Sequence, residues 1–73
     1  MLRVRVVPHG RLAKNSRISS EGQALTMPAG SRIRDVLIQV GLFDEEVKRV
    51  MVNGRRARLD TAVRRDDLIE LHP

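Results

Sequence analysis

The sequence predicts an α+β layer in which one main helix covers one face of a mixed sheet of five strands, with four strands as the alternative. Three observations predict it. The opening segment alternates strictly, Ile33, Val36, Leu37 and Val40 recur at helical spacing, and the last third holds short apolar runs around an Asn53-Gly54 dipeptide.

In the first strand, Leu2, Val4 and Val6 fall on one face, and Arg3, Arg5 and Val7 on the other, the period-two signature of a half-buried strand. Pro8 and Gly10 are expected to break it. The polar, basic stretch that follows to Gly22 carries Asn15-Ser16 and Ser19-Ser20-Glu21-Gly22, and is expected as a long mobile loop anchored by Leu12 and Ile18. Gln23 to Met27 forms a second strand, with Leu25 and Met27 inward and Pro28 ending it.

Ser31 to Gly41 carries the helical stripe. Ser31 is expected to cap the first amides, Asp35 places a carboxylate in the first turn where the dipole favours it, and Gly41 supplies the left-handed stop. Leu42 and Phe43 are then expected to dock on the core, and Asp44 to Val47 to form a short turn capped by Asp44. The acidic run Asp44-Glu45-Glu46 reads as this helical start and not as a metal site, because no histidine lies near it in sequence.

Arg49 to Asn53 is the third strand. Asn53-Gly54 suits a type I′ hairpin, whose two central positions need positive φ, and Arg55 to Leu59 returns antiparallel as the fourth strand. Asp60 to Arg65 is an irregular connection with Val63 pointing in, and Asp66-Asp67 turns the chain into a fifth strand, Leu68 to His72, with Ile69 and Leu71 inward. The expected core is Leu2, Val4, Val6, Leu25, Met27, Ile33, Val36, Leu37, Val40, Val50, Val52, Ile69 and Leu71. That set suffices for a single domain spanning residues 1–73, a length near the lower limit for a core without staples.

Composition narrows the function classes. There is no cysteine, which removes disulfides, thiolate zinc sites and thiol nucleophiles. No apolar run is long enough for a signal peptide or membrane helix, so the expectation is a cytoplasmic protein with no membrane contact. The net charge is +5, and 12 of the 14 basic residues are arginine, a balance that favours acidic partners without choosing among them. Phe43 is the only aromatic of the Phe, Tyr and Trp class, which argues against a base-stacking nucleic-acid surface. His9 and His72 are the only histidines, and no phosphate loop, zinc-ligand spacing or paired carboxylate emerges; neither a catalytic site nor a bound metal or cofactor is expected, and His72 reads as an exposed strand end.

The opening strand, the segment Met27 to Leu37, the strand and turn Val50-Met51-Val52-Asn53-Gly54 and the ending Leu68-Ile69-Glu70-Leu71-His72-Pro73 together resemble the ubiquitin-like β-grasp. Within it, they resemble the sulfur carriers that include the small subunit of molybdopterin synthase and the sulfur carrier of thiamine biosynthesis. The family usually has Asp-Gly-Asp before its last strand, where this chain has Arg65-Asp66-Asp67, and Asp tolerates the left-handed conformation that the turn needs.

The resemblance implies a non-catalytic carrier whose C-terminal Gly-Gly is adenylated and converted to a thiocarboxylate. Here the sequence ends at His72-Pro73, with Pro73 where that tail would attach. Two explanations stand: a truncated or processed carrier, or a relative that kept the fold and lost sulfur transfer. The resemblance also implies a protein partner, either an adenylating enzyme or a cofactor-synthase subunit.

With β-grasp strand order, the first and fifth strands lie side by side, flanked by the third. Arg3, Arg5, Arg49, Met51, Leu68, Glu70 and His72 then form one outward face, in which two apolar residues ringed by arginine read as a contact patch. The cluster Arg55, Arg56, Arg58, Arg64 and Arg65 reads first as a solvated hairpin tip and second as an anion contact. An RNA-associated module akin to the TGS domains, which share the Val-Asn-Gly-Arg hairpin, and a ubiquitin-like interaction module without transfer chemistry are the alternatives. Genomic sequence discriminates: the carrier reading expects Gly-Gly a few codons past Pro73, whereas the RNA reading expects binding that weakens steeply with salt.

Overall fold

The computed structural model describes all residues from Met1 to Pro73. Strand β1 (Leu2–Pro8) is followed by a single helical turn α1 (Leu12–Asn15), strand β2 (Gln23–Met27) and the main helix α2 (Ile33–Val40). A 3-10 turn at Asp44–Glu46 leads into β3 (Arg49–Val52), β4 (Arg55–Ala57) and β5 (Leu68–His72). The sheet order is β2-β1-β5-β3-β4, so the last strand in sequence is the central strand in space. The β1–β5 pair is parallel, and the other three pairs are antiparallel.

The predicted strands and helix all form. Ile33, Val36, Leu37 and Val40 are fully buried and meet Val4, Val6, Ile69 and Leu71 from the sheet. Leu12 and Ile18 are buried anchors, as expected, but the chain around Leu12 closes a helical turn instead of remaining loop. Leu42, Val47 and Val63 complete the core, while Leu2, Leu25 and Val52 pack against it only partly buried.

Pro8 does not break the first strand. It is the last residue of β1, fully buried and in register with Leu71, and the ladder continues past it through the His9 N–H to the Leu71 carbonyl at 2.9 Å. Parallel pairing spaces the bonds so that this strand end needs no donor from the proline.

Ser31 does not cap the helix. Its hydroxyl donates back to the Pro28 carbonyl at 2.7 Å, and the helix start is satisfied by other groups. The Asp35 carboxylate accepts the Arg32 N–H at 2.8 Å, and the Ile33 and Arg34 N–H groups donate to the Thr61 and Leu59 carbonyls at 3.0 and 2.9 Å. The orphan amides of the first turn are thus met by a loop far away in sequence. That demand explains why β4 ends at Ala57 and not at Leu59, since the chain turns aside to reach the helix.

Phe43 is a second correction. It is 72% exposed, whereas its neighbour Leu42 is buried. The Glu46 carboxylate accepts the Phe43 N–H at 2.8 Å, so Phe43 and not Asp44 opens the 3-10 turn, and its extended backbone directs the ring away from the core. Gly41 adopts φ +82°, the left-handed stop that its position predicts.

Both turns of the last third take the conformations their residues suggest. Asn53 and Gly54 have φ of 53° and 82°, and Asp66 has φ 65°. A polar network ties these turns together: buried Asp67 accepts from Asn53 Nδ2 and from the Arg64 N–H, both at 2.9 Å, and Asn53 Oδ1 accepts the Leu68 N–H at 2.9 Å. The Asn53 N–H also donates to the Leu68 carbonyl at 2.8 Å.

Replacing Asp67 by Ala leaves two donors without their acceptor, and is expected to cost about 1–3 kcal/mol in denaturant unfolding. Ile69→Ala, which opens a cavity beneath α2, is expected to cost about 2–5 kcal/mol, a large share of the stability of so small a domain. A loss below half a kcal/mol (about the noise of surface substitutions) in either variant contradicts these assignments.

Candidate docking face

Pairing of β1, β5 and β3 sets the geometry of the helix-free face. Residues in register on neighbouring strands project to the same side, so the outward positions form rows across the sheet. One row runs Val7, Glu70, Met51 and Arg56; another joins Ala24, Arg5 and Leu68; a third joins His72 and Arg49. Arg3 stands opposite Thr26 at the far end of β1. The seven residues that the sequence assigns to this face share one side of the sheet, with Arg3 at one end and His72 and Arg49 at the other.

Their exposures differ. Leu68 is 38% exposed, Met51, Glu70 and His72 are half-buried, and Arg3, Arg5 and Arg49 are exposed. The Arg5 guanidinium leans towards the β1–β2 connection, donating to the Glu21 carbonyl at 3.1 Å. Arg3, Arg5, Ala24, Asp66 and Leu68 line a shallow concavity at one end of the face. An apolar floor with charged sides has the composition of a contact patch.

The arginines of the hairpin tip do not form one surface. Arg56 lies opposite Met51 and joins the outward face, whereas Arg55 lies opposite Val52 and projects to the other side. Arg55 shares a second concavity with Arg64, while Arg58 pairs with Asp60 at 3.6 Å in an exposed contact of little energetic weight. Arg65 is exposed. Alternation along a short strand divides the basic run that the sequence joins.

His9 is the residue that sequence reasoning missed. The parallel register that aligns Val7 with Glu70 and Pro8 with Leu71 carries His9 to the side of His72, and the two imidazoles stack with centroids 4.3 Å apart and planes 4° from parallel. His9 Nε2 lies 3.1 Å from Glu70 Oε2. His9, Glu70 and His72 are the group whose ligand atoms lie close enough to hold a metal ion. A signal existed in the sequence, because alignment of the first and last strands puts the only two histidines level with each other, but Pro8 concealed it by suggesting an early strand end.

The stack leaves His72 half-buried instead of exposed at a strand end. Burial lowers its pKa from the ordinary 6.5, the positive charges of His9 and Arg49 act in the same direction, and Glu70 opposes them. With a folded-state value below the unfolded one, His72 contributes stability that is complete above about pH 6.5 and declines as pH falls through the lowered value. In chelator-treated buffer, the denaturation midpoint is expected to fall as pH drops from neutrality to about 5, and less so in His72→Gln. Equal slopes in the two proteins remove His72 as the source.

No protein-family profile matches the sequence, and no curated protein does. Solved structures do. A protein described as molybdopterin converting factor subunit 1 from Pyrococcus furiosus superposes with a TM-score of 0.79 at 22% identity, covering 100% of this chain and 98% of that one. The small archaeal modifier protein 1 of Haloferax volcanii gives a TM-score of 0.77 at 18% identity, with coverage of 100% and 98%. A second structure of the Haloferax modifier gives 0.74 at 18%, covering 97% and 93%. Similarity of this extent at low identity establishes architecture: the chain has the β-grasp fold, with a five-stranded mixed sheet and one main helix.

Proposed function

We propose that this protein is a small carrier- or modifier-type β-grasp domain that works by docking the helix-free face of its sheet on a protein partner. The observation that carries the proposal is the row structure of that face. Met51 and Leu68 are presented by rigid neighbouring strands and surrounded by Arg3, Arg5, Arg49 and Arg56, with Glu70 between them. Rigid presentation lowers the ordering cost of binding, and the basic surround suits a partner with an acidic rim.

The strand order adds a second support. β5 is central, so Pro73 leaves the sheet from its middle, beside His9 and Gly10, and a partner covering this face also approaches the point at which the chain leaves it. This geometry suits delivery of a C-terminal segment to a partner's active site, the task of a sulfur carrier acting with an adenylating enzyme or a cofactor synthase. The fold shared with the converting-factor subunit and the archaeal modifier supports that class of role.

The test is a binding titration against the adenylating enzyme encoded in the same genome. Met51→Glu and Leu68→Glu are each expected to weaken binding by about 2 kcal/mol or more, as at interface hot spots, while the unfolding midpoint stays near that of the parent protein. Unchanged affinity in both variants sinks the assignment of this face.

A further inference from the structure

We propose that His9, Glu70 and His72 form a binding site for one imidazole-preferring divalent metal ion of the zinc type. Independent features of the chain converge there. The only two histidines of the sequence, 63 positions apart, are brought side by side by the parallel β1–β5 register, and Glu70 stands two residues before His72 on the same strand and the same face. The ligand atoms of all three residues lie within 4.8 Å of one another, and His9 Nε2 and Glu70 Oε2 are already 3.1 Å apart.

Those spacings suit chelation. Ligand atoms about 2.0–2.2 Å from a tetrahedral zinc ion are separated by about 3.4 Å, so the closest pair needs almost no movement and the widest closes by small side-chain rotations. The backbone beneath two of the three donors is the central strand of the sheet, which holds them at fixed spacing. Two imidazoles and one carboxylate suit zinc, nickel or copper better than magnesium or calcium, which prefer oxygen donors. Three protein donors leave a fourth position for water.

Two features oppose the ion and set the form of the test. Arg49 is in register with His72, and its charge repels a cation. The imidazole planes are 4° from parallel, so their lone pairs do not converge as they stand, and chelation requires the rings to splay. Against this, the Glu70 carboxylate offsets part of the ion's charge. The site does not depend on the docking role proposed above.

Calorimetric titration of the full chain, without any added histidine tag, with zinc chloride is expected to show one ion bound per chain, and magnesium chloride to show none. His9→Ala and His72→Ala are expected to abolish binding. Glu70→Gln is expected to weaken it at least about tenfold, equivalent to about 1.4 kcal/mol, and Arg49→Gln to tighten it. Because a histidine variant can fail through misfolding, imidazole nitrogen resonances of the parent protein supply a second measurement. Both rings are expected to shift with zinc and not with magnesium as the stack opens. Absence of binding heat together with unmoved imidazole resonances, or zinc binding retained in folded His9→Ala/His72→Ala, overturns the proposal.

Discussion

Insertion of Leu68–His72 between the first and third strands is the constraint on which the rest of the structure depends. Without that strand, β1 with β2 and β3 with β4 are two separate antiparallel pairs with no ladder between them. The final strand supplies hydrogen bonds to both and places Ile69 and Leu71 under the helix, where both are fully buried. Joining segments more than sixty residues apart carries a loop-closure cost that local structure does not repay, so the fold is cooperative by construction. The Asn53–Asp67 network serves this event, because it bonds the hairpin to the turn that launches the strand and to the strand's first amide. Edge exposure is confined to β2 and to the three-residue β4, whose Arg55 and Arg56 discourage pairing with another sheet.

The strand order also links folding to the helix-free face. A central strand holds its outward residues between neighbours on both sides, so Leu68, Glu70 and His72 are flanked by β1 and β3. The polar and apolar groups around them come from β1 and β3, which are themselves held by that strand. A face built in this way is tied to the core, because the strands that carry its outward residues also carry Val4, Val6, Val50, Ile69 and Leu71. A chain of 73 residues, with little core to spare, thus keeps one face of its sheet uncovered by helix.

Much of this was legible in the sequence, because the strongest patterns were local. Alternation in Leu2–Val7, the Ile33–Val40 stripe, Asn53-Gly54 and Asp66-Asp67 each fix a conformation through their own side chains or φ preferences, and each forms where expected. What was not legible depended on distant partners. Ser31 has the composition of a cap, but the helix amides find the Leu59 and Thr61 carbonyls instead. Phe43 has the hydrophobicity of a core residue, but the extended entry to a 3-10 turn stabilised by Glu46 turns it outward. The hairpin arginines looked like one patch until strand pairing divided them between two sides.

The same distinction applies at the histidines. On its own, His9 follows a proline and precedes a glycine, a context that suggests a loop, and His72 stands at the end of a strand. Neither carries information about the other until a parallel register of known offset joins the two ends of the chain. That register extends far enough in spite of Pro8, which stays in the ladder because the adjacent His9 amide, not its own nitrogen, supplies the next bond to β5. A residue that forbids a hydrogen bond therefore marks the place where two distant imidazoles meet. In this mixed sheet, the chemistry on the open face is set by which residues of the parallel first and last strands share a level, and that offset follows from pairing and not from composition.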